Sequence, residues 1–242
     1  PTRGIITTVK EAIDNSLDAC EEAQVLPDIL VSVRRIKEDV FRVVVEDNGP
    51  GIIPEKMPSV YAKLLYGSRF HQVRQTRGQQ GIGISAAVLY AQLTTGKPST
   101  VISRTDASRP AHKMTLTIKT EDNEPEVLSH EEIDWIRPHG TRIELEFKSS
   151  IAAKKKLLEY LKYTSIVNPH AKFRVELDDD AFIFDRVSSD VPPCPVAIKP
   201  HPYGIELGVL KRMAAASSLP LSEFLVDSFS KVGAKTAAEI CL

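Results

Sequence analysis

Apolar and small residues recur at helical spacing from the start of the chain. In "TTVKEAIDNSLDACEEA", Val9, Ile13, Ser16, Leu17 and Cys20 form one stripe and predict a helix over residues 7–23. The period then switches. "ILVSVRRI" and "VFRVVVED" are rich in β-branched residues and predict two strands joined by the polar "KED". The second ends in "EDNGPGI", a turn-forming cluster. "PSVYAKLLYGS" predicts a short helix ending near Gly67. Residues 68–80 are polar, without an apolar period, and lead into "RGQQGIGISAAVLYAQ", a glycine run that becomes an apolar helix reaching about Leu93. Strands follow in "STVISRT", "KMTLTIKT" and "TRIELEF". Between the last two, residues 121–134 hold seven acids and no Lys or Arg, which predicts a solvated loop. "AKKKLLEYLKYTSIV" predicts an amphipathic helix and "KFRVELD" another strand.

Five prolines between Val191 and Pro202 block both helix and ladder bonding and mark a linker. Three short helical patterns come after it. The expected organisation is an α+β domain over residues 1–190, a proline-rich linker over 191–202 and a small helical piece over 203–242. The first of these is a mixed sheet with helices laid on it.

The 242 residues are 42% hydrophobic and 26% charged, with a formal net charge of −1. No global field draws such a chain to nucleic acid or to a membrane. No apolar run reaches the ~20 residues of a membrane span. Cys20, Cys194 and Cys241 are few and far apart, with no CxxC, which argues against a disulfide framework or zinc site and for a cytoplasmic protein with reduced thiols. The chain opens on Pro1 and closes just after "AAEI", and is expected to be a piece of a longer protein.

Four short stretches carry candidate chemistry. Glu11, Asn15 and Asp18 stand at i, i+4 and i+7 and share a polar helix face. A carboxylate there can take a proton from water, and an amide oxygen can ligate a hard cation such as Mg²⁺. The same face also reads as an ordinary solvated one. Asp47 ends a strand and is followed by Gly49 and Gly51, which let the backbone turn sharply. Its carboxylate can accept a hydrogen bond from an exocyclic amine of the kind adenine carries. An ordinary Asp-Asn-Gly turn has the same residues. The glycine run Gly78, Gly81, Gly83 precedes a helix N-terminus, where backbone N–H groups suit phosphate. It is neither a P-loop nor GxGxxG. Finally, Gly140 and Thr141 open a strand.

In this order the four stretches resemble the Bergerat-fold (GHKL) ATPases, the superfamily of gyrase B subunits, MutL, heat-shock chaperone ATPases and histidine kinases. "VKEAIDNSLDACEEA", "KLLYGSRFHQVRQTRGQQGIGISAAVLYAQ" and "RPHGTRIELEF" are similar, more narrowly, to the B subunits of the type IIB DNA topoisomerases, the topoisomerase VI family. The resemblance implies an α/β sandwich with a mixed, mostly antiparallel sheet, followed by the start of a helix–two-turn–helix domain. It implies ATP and Mg²⁺ as cofactors. Glu11 would be the general base and Asn15 the Mg²⁺ ligand. Asp47 would receive the adenine amine, with Gly51 and Thr141 at that end. Ser68 and Arg69 would lie in an ATP lid, and Gly78, Gln79, Gln80, Gly81, Ile82, Gly83, Ile84 and Ser85 would wrap the triphosphate. Position 69 is Arg where Lys also occurs in the family, and the two differ in contact geometry.

The implied partners are the topoisomerase A subunit, in a heterotetramer of two A and two B subunits, double-stranded DNA, and a second B subunit recruited when ATP binds. No membrane partner is implied. The family's N-terminal strap and its transducer domain, with a lysine for the γ-phosphate, are not matched, so slow turnover and weak dimerisation are expected of the chain alone. Lys154, Lys155, Lys156, Lys231 and Lys235 are candidate DNA contacts that read equally as solvated lysines. "SKVGAKTAAEI" sets a glycine turn before a helix. The rival readings are another GHKL ATPase, of mismatch-repair or histidine-kinase type, and a non-enzymatic topoisomerase-like scaffold.

Overall fold

A computed structural model describes residues 2–66, 77, 82–150, 153–194 and 198–242. Helix α1, Thr2–Glu22, starts five residues earlier than its periodicity suggested, because Ile5 continues the buried stripe of Val9, Ile13 and Leu17. Strands β1 (Asp28–Arg35) and β2 (Val40–Glu46) pair as an antiparallel hairpin. A short helix α2 covers Met57–Ala62, and α3 covers Gly83–Thr95. Gly96 closes α3 in the left-handed conformation at φ +69°, its N–H bonded to the Gln92 carbonyl.

Strands β3 (Ser99–Arg104), β4 (Ala111–Lys119), β5 (Glu124–Ile133) and β6 (Gly140–Lys148) follow. Helix α4 (Ala153–Val167) then leads into β7 (Lys172–Leu177) and β8 (Asp180–Phe184). The eight strands form one sheet in the order β5-β4-β3-β6-β2-β1-β7-β8. Every pairing is antiparallel except β1 with β7, so the sheet is mixed and mostly antiparallel as expected.

Helix α1 touches both α3 and α4, and the three pack on β2, β6 and β7, so they share one face of the sheet. The core between the layers holds Phe41, Phe147, Phe173, Leu145, Leu157 and Leu161, all buried. On the strands, charged residues alternate with this core set and meet across the ladder. Arg42 pairs with Glu144 at 3.2 Å and Glu146 at 2.7 Å, and Arg142 pairs with Glu46 at 3.2 Å. Apolar-in and charged-out alternation is what an antiparallel sheet covered on one face needs.

Two expectations need correction. The acidic stretch 121–134 is not a loop: most of it is β5, paired with β4 over its length, with a register shift between Thr115 and Leu116. At the sheet's edge its carboxylates point to water, and an edge strand tolerates charge where a central one does not. Strand β8 went unpredicted. It is five residues long and folds back on β7 through a tight turn in which Asp178 takes φ +54°.

The chain after Cys194 forms a second compact unit. It contains α5 (Leu207–Ala215), α6 (Leu221–Ser228) and α7 (Ala234–Ile240). Its own small core is Phe224, Phe229, Val232 and Ala237, with the two rings edge to face at 5.9 Å. The described residues contain no helix long and apolar enough to cross a membrane.

Phe147 is fully buried between the helical layer and β6. Phe147→Ala should therefore lower the unfolding free energy by about 3–5 kcal/mol, as measured by urea denaturation.

Candidate active site

Asp47 follows directly on β2, which is hydrogen-bonded on both sides, so its position is set by the middle of the sheet. Its backbone N–H bonds the Thr141 carbonyl at 2.8 Å. Only 7% of the residue is exposed. Three donors hold its carboxylate. Oδ1 accepts from the backbone N–H of Gly49 at 2.9 Å and of Thr141 at 3.1 Å, and Oδ2 accepts from the Ser16 hydroxyl at 2.8 Å. Both lone-pair directions of Oδ1 are thus used, while Oδ2 keeps capacity for one more donor. Burial pushes the Asp47 acid above the usual carboxylate range, against the opposing pull of these hydrogen bonds and of Arg137.

The surrounding backbone is packed too closely for side chains at two glycines. A Cβ on Gly140, at φ +136°, would stand 2.1 Å from the Asp47 carbonyl oxygen. One on Gly51, at φ +70°, would stand 2.1 Å from the Arg104 carbonyl oxygen. Ser103 on β3 links the pieces. Its hydroxyl donates to the Gly140 carbonyl at 3.0 Å, accepts from the Ile52 N–H at 2.8 Å and lies 3.2 Å from the Thr141 hydroxyl. His139 Nδ1 donates to the Gly49 carbonyl at 2.8 Å.

The other end of the site lies up α1. Glu11 and Ser16 are five residues apart, about 7.5 Å along the axis. The Glu11 carboxylate rests against the first turn of α3. An ideal Cβ on Gly83 would fall 1.9 Å from Glu11 Oε2, so only glycine leaves room for the carboxylate there. Lys10 sits beside it, 2.7 Å from Asp14 and 3.5 Å from Glu11 Oε1. Asn15 is exposed one turn further along. An amide oxygen is of the type that ligates a hard cation. Among the described residues no group of three or more His, Cys, Asp or Glu could hold a metal by itself.

The remaining expected residues fall out as follows. Ile82 caps α3, its carbonyl accepting from the Ala86 N–H at 2.7 Å. Ile84 is in the core. The buried Ser85 hydroxyl turns back to the Ile82 carbonyl at 3.2 Å, so what this turn can offer outward is its backbone N–H groups. Asp18 is not part of the Glu11 end, because it is engaged by Arg77 at 2.9 Å. Ser68, Arg69, Gly78, Gln79, Gln80 and Gly81 lie outside the described residues.

Ser16 and Ser103 escaped sequence reasoning. Each is a buried hydroxyl inside an apolar pattern, and a polar residue at a core position is the one signal that marked them. Burial pushes the Cys20 thiol far up, so it supplies no nucleophile.

Residues 2–151 match the family of histidine kinase-, DNA gyrase B-, and HSP90-like ATPases. The chain belongs to this ATPase family. Among its relatives, the B subunit of type 2 DNA topoisomerase 6 from Methanococcoides burtonii is 56% identical over 99% of the chain, and the one from Archaeoglobus fulgidus is 54% identical over the same share. The chain spans 39% and 40% of the length of these two relatives. The Aquifex aeolicus MutL ATPase domain complexed with ADP shares the fold, with a TM-score of 0.50 at 18% identity over 78% of this chain and 64% of that one. The chain is an α+β member of the ATPase family that resembles topoisomerase 6 B subunits throughout its length.

Because burial raises the folded-state pKa of Asp47, its contribution to stability is present at low pH and fades as pH rises through the elevated value. Urea denaturation of nucleotide-free protein should show Asp47→Asn gaining stability relative to wild type as pH rises from about 4 to 8. A difference that stays flat across this range would contradict the assignment.

Proposed function

We propose that this chain is the ATP-binding and hydrolysing module of a type IIB DNA topoisomerase, within its B subunit. The observation that carries the reading is the pairing, on one helix, of a buried acceptor carboxylate at the Ser16 level with a carboxylate lodged against the N-terminus of α3 at the Glu11 level. The relatives at 54–56% identity support the choice of topoisomerase over other family members.

The chemistry follows from the groups. Asp47 Oδ2 accepts the exocyclic amine of adenine and excludes a base that lacks this donor. Thr141 and Gly51 close that end. The N–H groups at the start of α3 face the phosphates and favour negative charge. Asn15 would hold Mg²⁺, which would supply positive charge beside the phosphates. Glu11 takes one proton from water as the oxygen bonds to the γ-phosphorus. The bond from that phosphorus to the bridging oxygen breaks, leaving ADP and phosphate. In the whole enzyme, ATP binding would draw two B subunits together and gate a DNA duplex through a break made by the A subunit, in an assembly of two A and two B subunits. No residue of this chain is assigned to DNA cleavage.

Isothermal titration with ATP, with and without Mg²⁺, tests the reading. Asp47→Asn should keep the fold. Its oxygen can still accept both backbone N–H groups, and its amide can donate to the Ser16 hydroxyl, which then reverses its role. The adenine amine would meet another donor, and ATP affinity should fall at least about tenfold. Glu11→Ala should bind ATP and lose hydrolysis. In the full-length subunit, a variant that hydrolyses at the wild-type rate would remove Glu11 from the base role, and a wild type that binds ATP without turnover would favour the non-enzymatic scaffold.

Gly83→Ala separates position from chemistry. The new methyl occupies the place of the Glu11 carboxylate, a flexible side-chain end that can move aside. Thermal unfolding should be unimpaired, while steady-state hydrolysis drops about tenfold or more. Unchanged hydrolysis would show that the Glu11–Gly83 contact plays no part in turnover.

A further inference from the structure

Ser103 stands on β3 directly opposite Thr141 on β6, so the two side chains leave the sheet on the same face. Both are buried, Ser103 completely. A hydroxyl has one proton to give and two lone pairs to fill. The Ser103 proton goes to the Gly140 carbonyl at 3.0 Å, a group that can only accept. One lone pair takes the Ile52 N–H at 2.8 Å, a group that can only donate. The third neighbour is the Thr141 hydroxyl at 3.2 Å. With the Ser103 proton already placed, Thr141 is the donor in that contact.

This accounting sets the polarity of Thr141. Its one proton is turned toward Ser103, so lone pairs are all it has left for a ligand. Asp47 has the same character: its Oδ2 takes the Ser16 proton and keeps room for one more donor. The two residues are tied together. The Thr141 N–H donates to Asp47 Oδ1 at 3.1 Å, and the Asp47 N–H donates to the Thr141 carbonyl at 2.8 Å. This end of the site therefore offers acceptors and asks for hydrogens. An amine on a base supplies them, and a carbonyl in its place does not.

We propose that Ser103 is a positioning residue for base selection: by taking the Thr141 proton it makes that hydroxyl an acceptor, and so favours a base with an exocyclic amine over one with a carbonyl there. Ser103 has no proton or lone pair to spare and touches no ligand itself. The proposal rests on the nucleotide reading above.

The test titrates ATP and inosine triphosphate, each with Mg²⁺, on wild type, Ser103→Ala, Thr141→Val and the double variant. The two nucleotides differ at the base edge, where the amine of one is replaced by a carbonyl in the other. Wild type should prefer ATP. In Ser103→Ala the Thr141 proton is released and can turn to a carbonyl, so the preference for ATP should shrink about fivefold. Thr141→Val removes the hydroxyl and should also shrink it. Adding Ser103→Ala to Thr141→Val should then change the preference by less than about twofold, because the two act as one unit. Equal losses for both nucleotides in Ser103→Ala would make Ser103 a packing residue and overturn the proposal, as would a further shrinkage in the double variant. Should Ser103→Ala not fold, Ser103→Cys decides, since a thiol is only a weak donor and acceptor. A smaller preference in that variant supports the proposal, and an unchanged one overturns it. A wild type that binds both nucleotides equally overturns this proposal and leaves nucleotide binding standing. One that binds neither overturns the nucleotide reading, and this one with it.

Discussion

A carboxylate removed from water must have its acceptors met by the protein, and Asp47 is where this chain meets that requirement. Its three donors come from separate places: Ser16 on α1, Thr141 on β6 and Gly49 in its own turn. An unpaired buried charge would cost several kcal/mol, so these donors cannot drift independently. The carboxylate thereby ties the first helix to the centre of the sheet. It also explains the close backbone approach at Gly140, where the strand must come within contact of the Asp47 carbonyl.

Helix α1 is consequently divided by face and by level. Ile5, Val9, Ile13 and Leu17 enter the core. Ser16 serves Asp47, Glu11 meets the start of α3, and Asp18 with Glu21 receives Arg77. A single rigid element thus sets the spacing between the Asp47 end of the site and the Glu11 end. Rigid spacing suits phosphoryl transfer, in which the protein mostly positions groups and stabilises charge. On the other side of the sheet charged residues pair across strands, Arg42 with Glu144 and Glu146 and Arg142 with Glu46.

The chain belongs to the ATPase family and resembles topoisomerase 6 B subunits throughout its length. The second unit adds a separate small core after a proline-rich stretch. Its α7 is seven residues long, too short to build an anion site from its N-terminus alone. Its charges are balanced, with four Lys or Arg and four Asp or Glu from Pro200 onward. Neither feature marks it as a strong electrostatic partner for DNA by itself.

Local pattern by itself determined α1, the β1–β2 hairpin, α3 and α4: α1 and α4 are amphipathic at helical spacing, the hairpin strands are rich in β-branched residues, and α3 is a continuous apolar run. It also determined where Glu11, Asn15, Asp47, Gly83 and Thr141 stand along the chain, and their order carried the family resemblance. It did not determine β5 or β8. An edge strand may be acidic and a five-residue strand needs no period of its own, so both are strands only because a neighbour offers them hydrogen bonds. The sheet order and the parallel β1–β7 pairing were equally out of reach. Tertiary structure alone decided that Ser16 and Ser103 are donors, that Asp18 belongs to Arg77 rather than to the Glu11 end, and that Gly83 makes room for a carboxylate. Each of these depends on a residue tens of positions away, and one-dimensional pattern is silent about which distant atoms the close packing of a core brings within 3 Å.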